Sequence, residues 1–182
     1  MSEFLFSHLR EQLQSEIDHA DAIAAIVLLI SKSENPSILY TRRALHLRSH
    51  PGEICFPGGM REMQDNNLWA TALRETEEEI GLPAHEIQFL GRLPAARTRA
   101  GTWVVPFVAS FNADVQLTPA LDELDIIFQV PIEQFQSGLK IRDDHFESHG
   151  KSYRLPVYQY QEYEIWGFTA GVTEQLLKIM NR

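Results

Sequence analysis

The segment from Gly58 to Leu82, GGMREMQDNNLWATALRETEEEIGL, constrains this chain more than any other. Its second half has helical periodicity. At about 100° per residue, Glu75, Glu78 and Glu79 fall on one side of that helix, at spacings of three and four. Trp69, Ala72, Leu73, Thr76 and Ile80 share another face, suited to docking on a core. Carboxylates packed this way repel one another by about 0.2–0.5 kcal/mol per pair on an exposed helix. A divalent cation converts that repulsion into binding, and carboxylate oxygens suit hard ions such as Mg²⁺, Mn²⁺ or Ca²⁺. The same spacing also describes a plain solvated acidic face, so the flanks matter. Phe56-Pro57-Gly58-Gly59 reads as a strand end entering a tight glycine turn. Asp65, Asn66 or Asn67 can cap the helix start, and Gly81 can close its end.

A cationic neighbourhood precedes the turn: Arg42, Arg43, Arg48 and His50. Guanidinium groups bind phosphate oxygens bidentately, so a diphosphate can be held opposite an ion on the acidic helix. Ordinary pairing with nearby surface acids is the competing reading. Arg97 and Arg99 lie in a polar loop, 94–101, that would form a rim of the same site.

The remaining chain supplies a scaffold. Residues 2–18 place Phe4, Leu5, Leu9, Leu13 and Ile17 near helical spacing, predicting a helical extension, 1–18, packed on the domain edge. Ala22 to Ile30 is apolar and rich in β-branched residues, which predicts a central buried strand. Ile38 to Thr41 is expected to pair with it, and residues 86–93, 102–111 and 153–160 to form further strands. Helices are expected over 132–137 and after Ala170. Asp143 to Lys151 is polar and is expected to form a mobile loop; its His145 and His149, four apart, lack the helical support a zinc pair needs. Trp166 and Phe168 are expected in the core. The acidic loop 117–125 carries Glu123, with Asp122 and Asp125 beside it.

The chain has 182 residues, enough for one domain over 1–182, and neither repeat nor linker divides it. Net charge is −9, which disfavours nucleic-acid backbones and means that an anionic ligand needs a local cation patch or metal. Cys55 is the only cysteine, so no intrachain disulfide is expected, and a reducing cytoplasm suits the chain. No basic-then-apolar leader is apparent at Met1-Ser2-Glu3-Phe4, and the apolar run 22–30 is too short for the ~20 residues of a bilayer span. Neither nucleic acid nor membrane is an expected partner. The oligomeric state, a homodimer included, stays open.

Between Gly59 and Leu82 the chain resembles the Nudix hydrolases. Their box runs glycine, five residues, Glu, seven residues, then Arg-Glu-aliphatic-x-Glu-Glu-x-Gly-aliphatic. Arg74-Glu75-Thr76-Glu77-Glu78-Glu79-Ile80-Gly81-Leu82 matches its second half. Thr76 stands where an aliphatic residue is usual. One extra residue separates Gly59 from Arg74, and Asp65 stands near the place of the first Glu. The extra residue resembles the coenzyme A pyrophosphatase-like subgroup. So does Leu47-Arg48-Ser49-His50-Pro51-Gly52-Glu53-Ile54-Cys55-Phe56-Pro57-Gly58-Gly59, followed by Glu62 and Asp65. Met60 and Glu62 depart from the usual Lys and Asp of that subgroup.

The resemblance implies an α/β/α sandwich with a mixed sheet and the box as strand-loop-helix. It implies Mg²⁺ or Mn²⁺ held by Glu75, Glu78 and Glu79, helped by the carbonyl of Gly58 or Gly59. Glu78, Glu79 or Glu123 would serve as base, Arg74 would orient a box glutamate, and Arg42, Arg48, His50 and Arg97 would contact substrate. The subgroup pattern favours Arg42 and Arg48 over Arg43. It implies coenzyme A or an acyl derivative as substrate, cut to 3′,5′-ADP and 4′-phosphopantetheine. A nucleotide sugar, a dinucleotide or a nucleoside triphosphate is the alternative substrate, and a non-catalytic ligand-binding module is the alternative class.

Overall fold

The computed structural model describes residues 2–148 and 151–181. In chain order it contains α1 (Ser2–Gln12), β1 (Ala24–Lys32), β2 (Ser37–Arg43), β3 (Ile54–Cys55), β4 (Gly58–Met60) and α2 (Leu68–Ile80). A 3₁₀ turn (Ala84–Glu86) leads to β5 (Ile87–Arg92), β6 (Ala96–Arg97), β7 (Trp103–Asn112), β8 (Leu124–Pro131) and α3 (Ile132–Gln136). The chain ends with β9 (Lys140–Ser148), β10 (Lys151–Tyr160), β11 (Tyr163–Ile165) and α4 (Gly167–Met180).

The main sheet has eight strands in a mixed arrangement, with β3, β2, β1, β7 and β5 in spatial order. β1 and β7 run parallel from Ala24↔Val104 to Lys32↔Asn112, and these two are apolar because both faces of the sheet are covered. β1 forks at its other edge. Near its start it pairs with β4, Ala25 opposite Gly59 and Ile26 opposite Gly58. The expected pairing with β2 is limited to Ile30↔Ile38, because β4 occupies the rest of that edge; β2 pairs instead with β3 and, along most of its length, with β8. A Cβ at Gly58, whose φ is +147°, would collide with the Ala25 carbonyl, so only glycine lets β4 lie this close to β1.

α2 covers one face. Leu68, Ala72 and Ile80 are buried against Val27, Leu39 and Phe107, and burial of a side chain such as Leu68 or Ile80 is worth roughly 1.5–3 kcal/mol. Trp69 meets Phe89 and Phe107 edge-on, at 5.0 and 5.2 Å between centroids. Thr76 replaces an aliphatic residue without leaving an orphan, because its hydroxyl donates to the Ala72 carbonyl at 2.6 Å. α1 and α4 cover the opposite face, around Leu9, Tyr40, Phe56, Val172 and Leu176. Helices therefore flank the mixed sheet on both sides, as expected. Among the described residues no helix is long and apolar enough to cross a membrane.

Three expectations need correction. The N-terminal helix stops at Gln12, not residue 18. Gln14 exchanges backbone hydrogen bonds with Arg92 at the edge of β5, and the Arg92 guanidinium donates to the Glu16 carbonyl at 2.8 Å. Edge pairing outcompetes further helix there. Residues 143–148 and Lys151 are not a mobile loop but parts of β9 and β10, which pair from Ser148↔Lys151 to Lys140↔Tyr158. Charge pairs accompany the ladder in place of apolar alternation: Arg154 of β10 with Asp143 of β9 at 2.9 Å, and Arg142 of β9 with Glu164 of β11 at 2.8 Å. His145 stands opposite Arg154 in this ribbon, and His149 lies outside the described residues. Phe168 packs on the core, but Trp166 is 45% exposed.

Candidate active site

The strand-turn-helix from β4 to α2 is fixed by an Asp–Arg hub. Asp65, 7% exposed, accepts two hydrogen bonds from Arg74, both at 3.1 Å, and one from the Glu62 N–H at 2.9 Å. Arg74 also donates to the Met60 carbonyl at 3.1 Å. The guanidinium beside Asp65 holds its carboxyl down at about 2. Asp65 is therefore a clamp and not the helix cap. That role falls to Asn67, whose Oδ1 accepts the Ala70 N–H at 2.8 Å. Gly81 closes the far end in the left-handed region, its N–H bonding the Glu77 carbonyl.

The three glutamates of α2 differ in environment. Glu79 is buried at 5% exposure and accepts the Gly58 N–H at 3.2 Å. Burial pushes its carboxyl up to about 8; the Gly58 N–H pulls the other way, and the charges of Glu75 and Glu123 push further up. Glu75 lies against the Cα of Gly59, where a Cβ would strike its carboxylate, and burial raises its pKa against the pull of Arg74. Glu78 has a side chain 60% exposed. Arg74 bridges the last two, 2.9 Å from Glu75 and 3.0 Å from Glu78. As they stand, no three His, Cys, Asp or Glu side chains among the described residues converge closely enough to grip one ion. The docking face of α2 is also rotated from the expected one. Thr71, Ala72, Thr76, Glu79 and Ile80 are buried, while Leu73 is half-buried.

Glu123 arrives on a loop tied down on both sides. The Thr118 and Ala120 N–H groups bond the Ile80 and Glu79 carbonyls, each at 2.9 Å, and the Glu123 carbonyl accepts the Ala44 N–H at 2.8 Å. Its residue is exposed, and its charge reaches both Glu75 and Glu79.

The cations divide between the two faces of the sheet. Residues of β2 alternate, so Ile38, Tyr40 and Arg42 face α4, while Leu39, Thr41 and Arg43 face α2. Arg43 is thus the arginine on the Glu79 side, and its charge lowers the Glu79 pKa. Its Nε is buried without a hydrogen-bond partner among the described residues. Two-residue alternation from Leu39 was the signal that could have ranked Arg43 above Arg42. Arg42, whose Nε is likewise buried without a partner among the described residues, donates through Nη2 to Asp125 at 3.3 Å and lines a 260 Å³ pocket on the opposite face, with Leu45, Ile54, Tyr163 and Trp166. Arg48 and His50 are exposed on the loop 44–53, where His50 pairs with Glu53 at 2.8 Å. Arg97 is not drawn to the glutamates. It lies over the Trp103 ring at 5.4 Å and donates to the Gly101 carbonyl. Cys55 is half-buried, and burial pushes its thiol up to about 11, which disfavours the thiolate.

The donor set fits a hard divalent ion. Glu79 is a desolvated carboxylate with a single neutral donor, facing two further carboxylates, and a cation there would relieve both burdens. Glu79, Glu75 and the exposed Glu78 would hold it once Arg74 lets go of the last two.

A family model described as the NUDIX domain matches residues 20–154, which contain β4, α2 and the Glu123 loop. The chain belongs to the Nudix hydrolase family. Among its relatives is an uncharacterised Nudix hydrolase, NudL, of Escherichia coli O7:K1, 33% identical over 172 residues, spanning 94% of this chain and 88% of the relative. Solved structures share the Nudix fold at lower identity. A C. elegans Ap4A hydrolase complex superposes with a TM-score of 0.53 at 17% identity, over 63% of this chain and 83% of that one. RenU, a Nudix hydrolase from M. smegmatis, gives 0.52 at 20% identity, over 64% and 74%. The Nudix box of this chain is therefore β4, the Asp65 clamp and α2.

Proposed function

We propose that this Nudix hydrolase cleaves the diphosphate bond of a nucleoside diphosphate derivative, with coenzyme A or an acyl-CoA as substrate and 3′,5′-ADP and 4′-phosphopantetheine as products. The buried Glu79 carboxyl, within reach of the charges of Glu75 and Glu123, carries the hydrolytic reading, since its only hydrogen-bond donor is the neutral Gly58 N–H and a cation would stabilise it. The pattern Leu47 to Gly59 carries the choice of coenzyme A.

Glu75, Glu78 and Glu79 would hold Mg²⁺ or Mn²⁺. The ion supplies charge neutralisation at the phosphate oxygens and a more acidic water. Arg43, the arginine whose charge reaches Glu79, binds a phosphate oxygen through its guanidinium. Arg74 keeps its two bonds to Asp65 and so holds α2 in register with β4. Glu123 takes the proton of the attacking water. Its side chain has no ion-pair partner among the described residues, while its backbone is fixed by the Ala44 and Ala120 bonds. The pocket beside Arg42 takes a ring-sized part of the substrate, with Trp166 and Tyr163 as stacking walls.

The test is a panel of coenzyme A, acyl-CoA, nucleotide sugars, dinucleotides and nucleoside triphosphates with Mg²⁺ or Mn²⁺, read by mass spectrometry. Coenzyme A should give the two named products. Rapid cleavage of another diphosphate with coenzyme A untouched would overturn the substrate, and binding of coenzyme A without turnover of any compound would overturn hydrolysis.

A further inference from the structure

Residues 13–19 form a strap between α1 and β1, ahead of the segment 20–154 that the family model matches. Arg92 anchors it. Gln14 and Arg92 exchange backbone hydrogen bonds at 3.1 and 2.8 Å, and the Arg92 guanidinium, nearly buried, donates to the Glu16 carbonyl at 2.8 Å. The approach is close: a Cβ on Gly91 would strike the Leu13 side chain. Ile17 then packs on the apolar cluster that holds Leu68 and Ala72 of α2. One residue later the strap reaches α2 itself, where Asp18 Oδ1 accepts the Leu68 N–H at 3.2 Å. Leu68 opens the helix, so this N–H has no acceptor within it. Asn67 serves the Ala70 N–H and leaves this one to Asp18.

The same carboxylate meets the turn between β4 and α2. Arg61 Nη1 lies 3.9 Å from Asp18 Oδ1. The Arg61 guanidinium also donates to the Asp65 carbonyl at 3.2 Å and to the Asn66 carbonyl at 2.9 Å. The Asp65 side chain in turn clamps Arg74. α2 is thus tied by hydrogen bonds at two points, Leu68 to the strap and Arg74 to the Asp65 clamp, about 9 Å apart at 1.5 Å per residue. One tie fixes a helix at a point; two fix its tilt. We infer that Asp18 is a positioning residue for the hydrolase: from outside the matched segment it holds the start of α2, and so sets where Glu75, Glu78 and Glu79 stand relative to β4. The inference rests on the reading of those glutamates as metal ligands and not on the choice of substrate.

Calorimetric titration with Mn²⁺, together with turnover of the compound that the parent cleaves, tests this on the full chain. Asp18→Ala should weaken Mn²⁺ binding about fivefold and lower kcat about tenfold, with KM nearly unchanged. Asp18→Asn keeps an Oδ1 acceptor and should bring both back to within about twofold of the parent. The Asp18 side chain is 56% exposed, so neither change disturbs the core, and circular dichroism checks the fold. A folded Asp18→Ala protein that is less heat-stable but keeps the parent's Mn²⁺ affinity and kcat would overturn the inference, leaving Asp18 a stabilising cap only. Asp18→Asn as impaired as Asp18→Ala would overturn it too, by assigning the effect to charge and not to the bond. A parent that binds no Mn²⁺ would instead strike the metal reading itself, and this inference with it.

Discussion

The two faces of β2 bury polar groups in opposite ways. Toward α4, Tyr40 and Thr173 are fully buried and share a hydrogen bond of 2.9 Å, Thr173 also donates to the Thr169 carbonyl, and Thr169 donates to Ile54 at 2.9 Å. Every one of these hydroxyls is neutral and partnered. Toward α2, the buried groups are ionisable and under-served: Glu79 has one backbone N–H, and the Arg43 Nε has no partner among the described residues, a lack that the Arg42 Nε shares at the end of the other face. The first arrangement stabilises the fold; the second costs stability and is kept in spite of that. A satisfied neutral network fixes geometry, whereas an unsatisfied charged one is held ready for a ligand.

Substitutions on the two faces should therefore separate activity from stability. The largest effect is expected for Glu79→Gln, which should lower kcat/KM by roughly 10²–10⁴. In chelator at pH 8 the same variant should be more stable than the parent by about 1–3 kcal/mol, because it removes a desolvated charge; a variant that loses both activity and stability would make Glu79 a structural residue. Arg43→Gln comes next, with an increase in KM of about tenfold, equivalent to one lost charge-assisted phosphate contact. Arg42→Gln, on the other face, should raise KM less. Thr173→Val should reverse the pattern, costing about 1–3 kcal/mol in denaturant unfolding because Tyr40 loses its partner, with kcat/KM unchanged.

The pH dependence of the metal-free protein sharpens the contrast. Burial pushes Glu79 up to about 8 in the fold against an ordinary 4.5, so the metal-free fold favours its neutral acid. Its contribution is fully present below about 4.5 and is lost as pH rises through about 8. Asp65 has the opposite sign: at about 2 against 3.8, its contribution is present above 3.8 and lost as pH falls through 2. Unfolding in chelator between pH 5 and 9 should show a decline that Glu79→Gln abolishes and Asp65→Asn leaves in place. The smallest effect is expected for Arg97→Ala, which should leave kcat/KM where it was, since Arg97 engages Trp103 and its own turn.

Local signals account for what could be read in the sequence. The helix α2 and its flanking glycines were legible because periodicity and cap residues agree, with Asn67 and Gly81 at the ends. β1 and β7 were legible as apolar runs buried on both faces. The fork of β1 was not, because it depends on β4 passing through a space only Gly58 permits. The β9–β10 ribbon was not legible, because its backbone ladder is accompanied by ion pairs such as Arg154–Asp143, which leave no hydrophobic alternation. In the site, side-chain type pointed to carboxylates and arginines, but strand parity decided which arginine faces which side. Asp65 read equally well as a cap, and only its two bonds to Arg74 distinguish the roles.

The bonds from Thr118 and Ala120 to the last turn of α2 have one more implication. By chain position these amides belong to a surface loop; by bonding they extend the helix. Glu123 therefore cannot swing independently of Glu79, because lifting the loop would expose two helical carbonyls to solvent. The end of the site proposed to hold the metal and the end proposed to activate water are therefore mechanically one part.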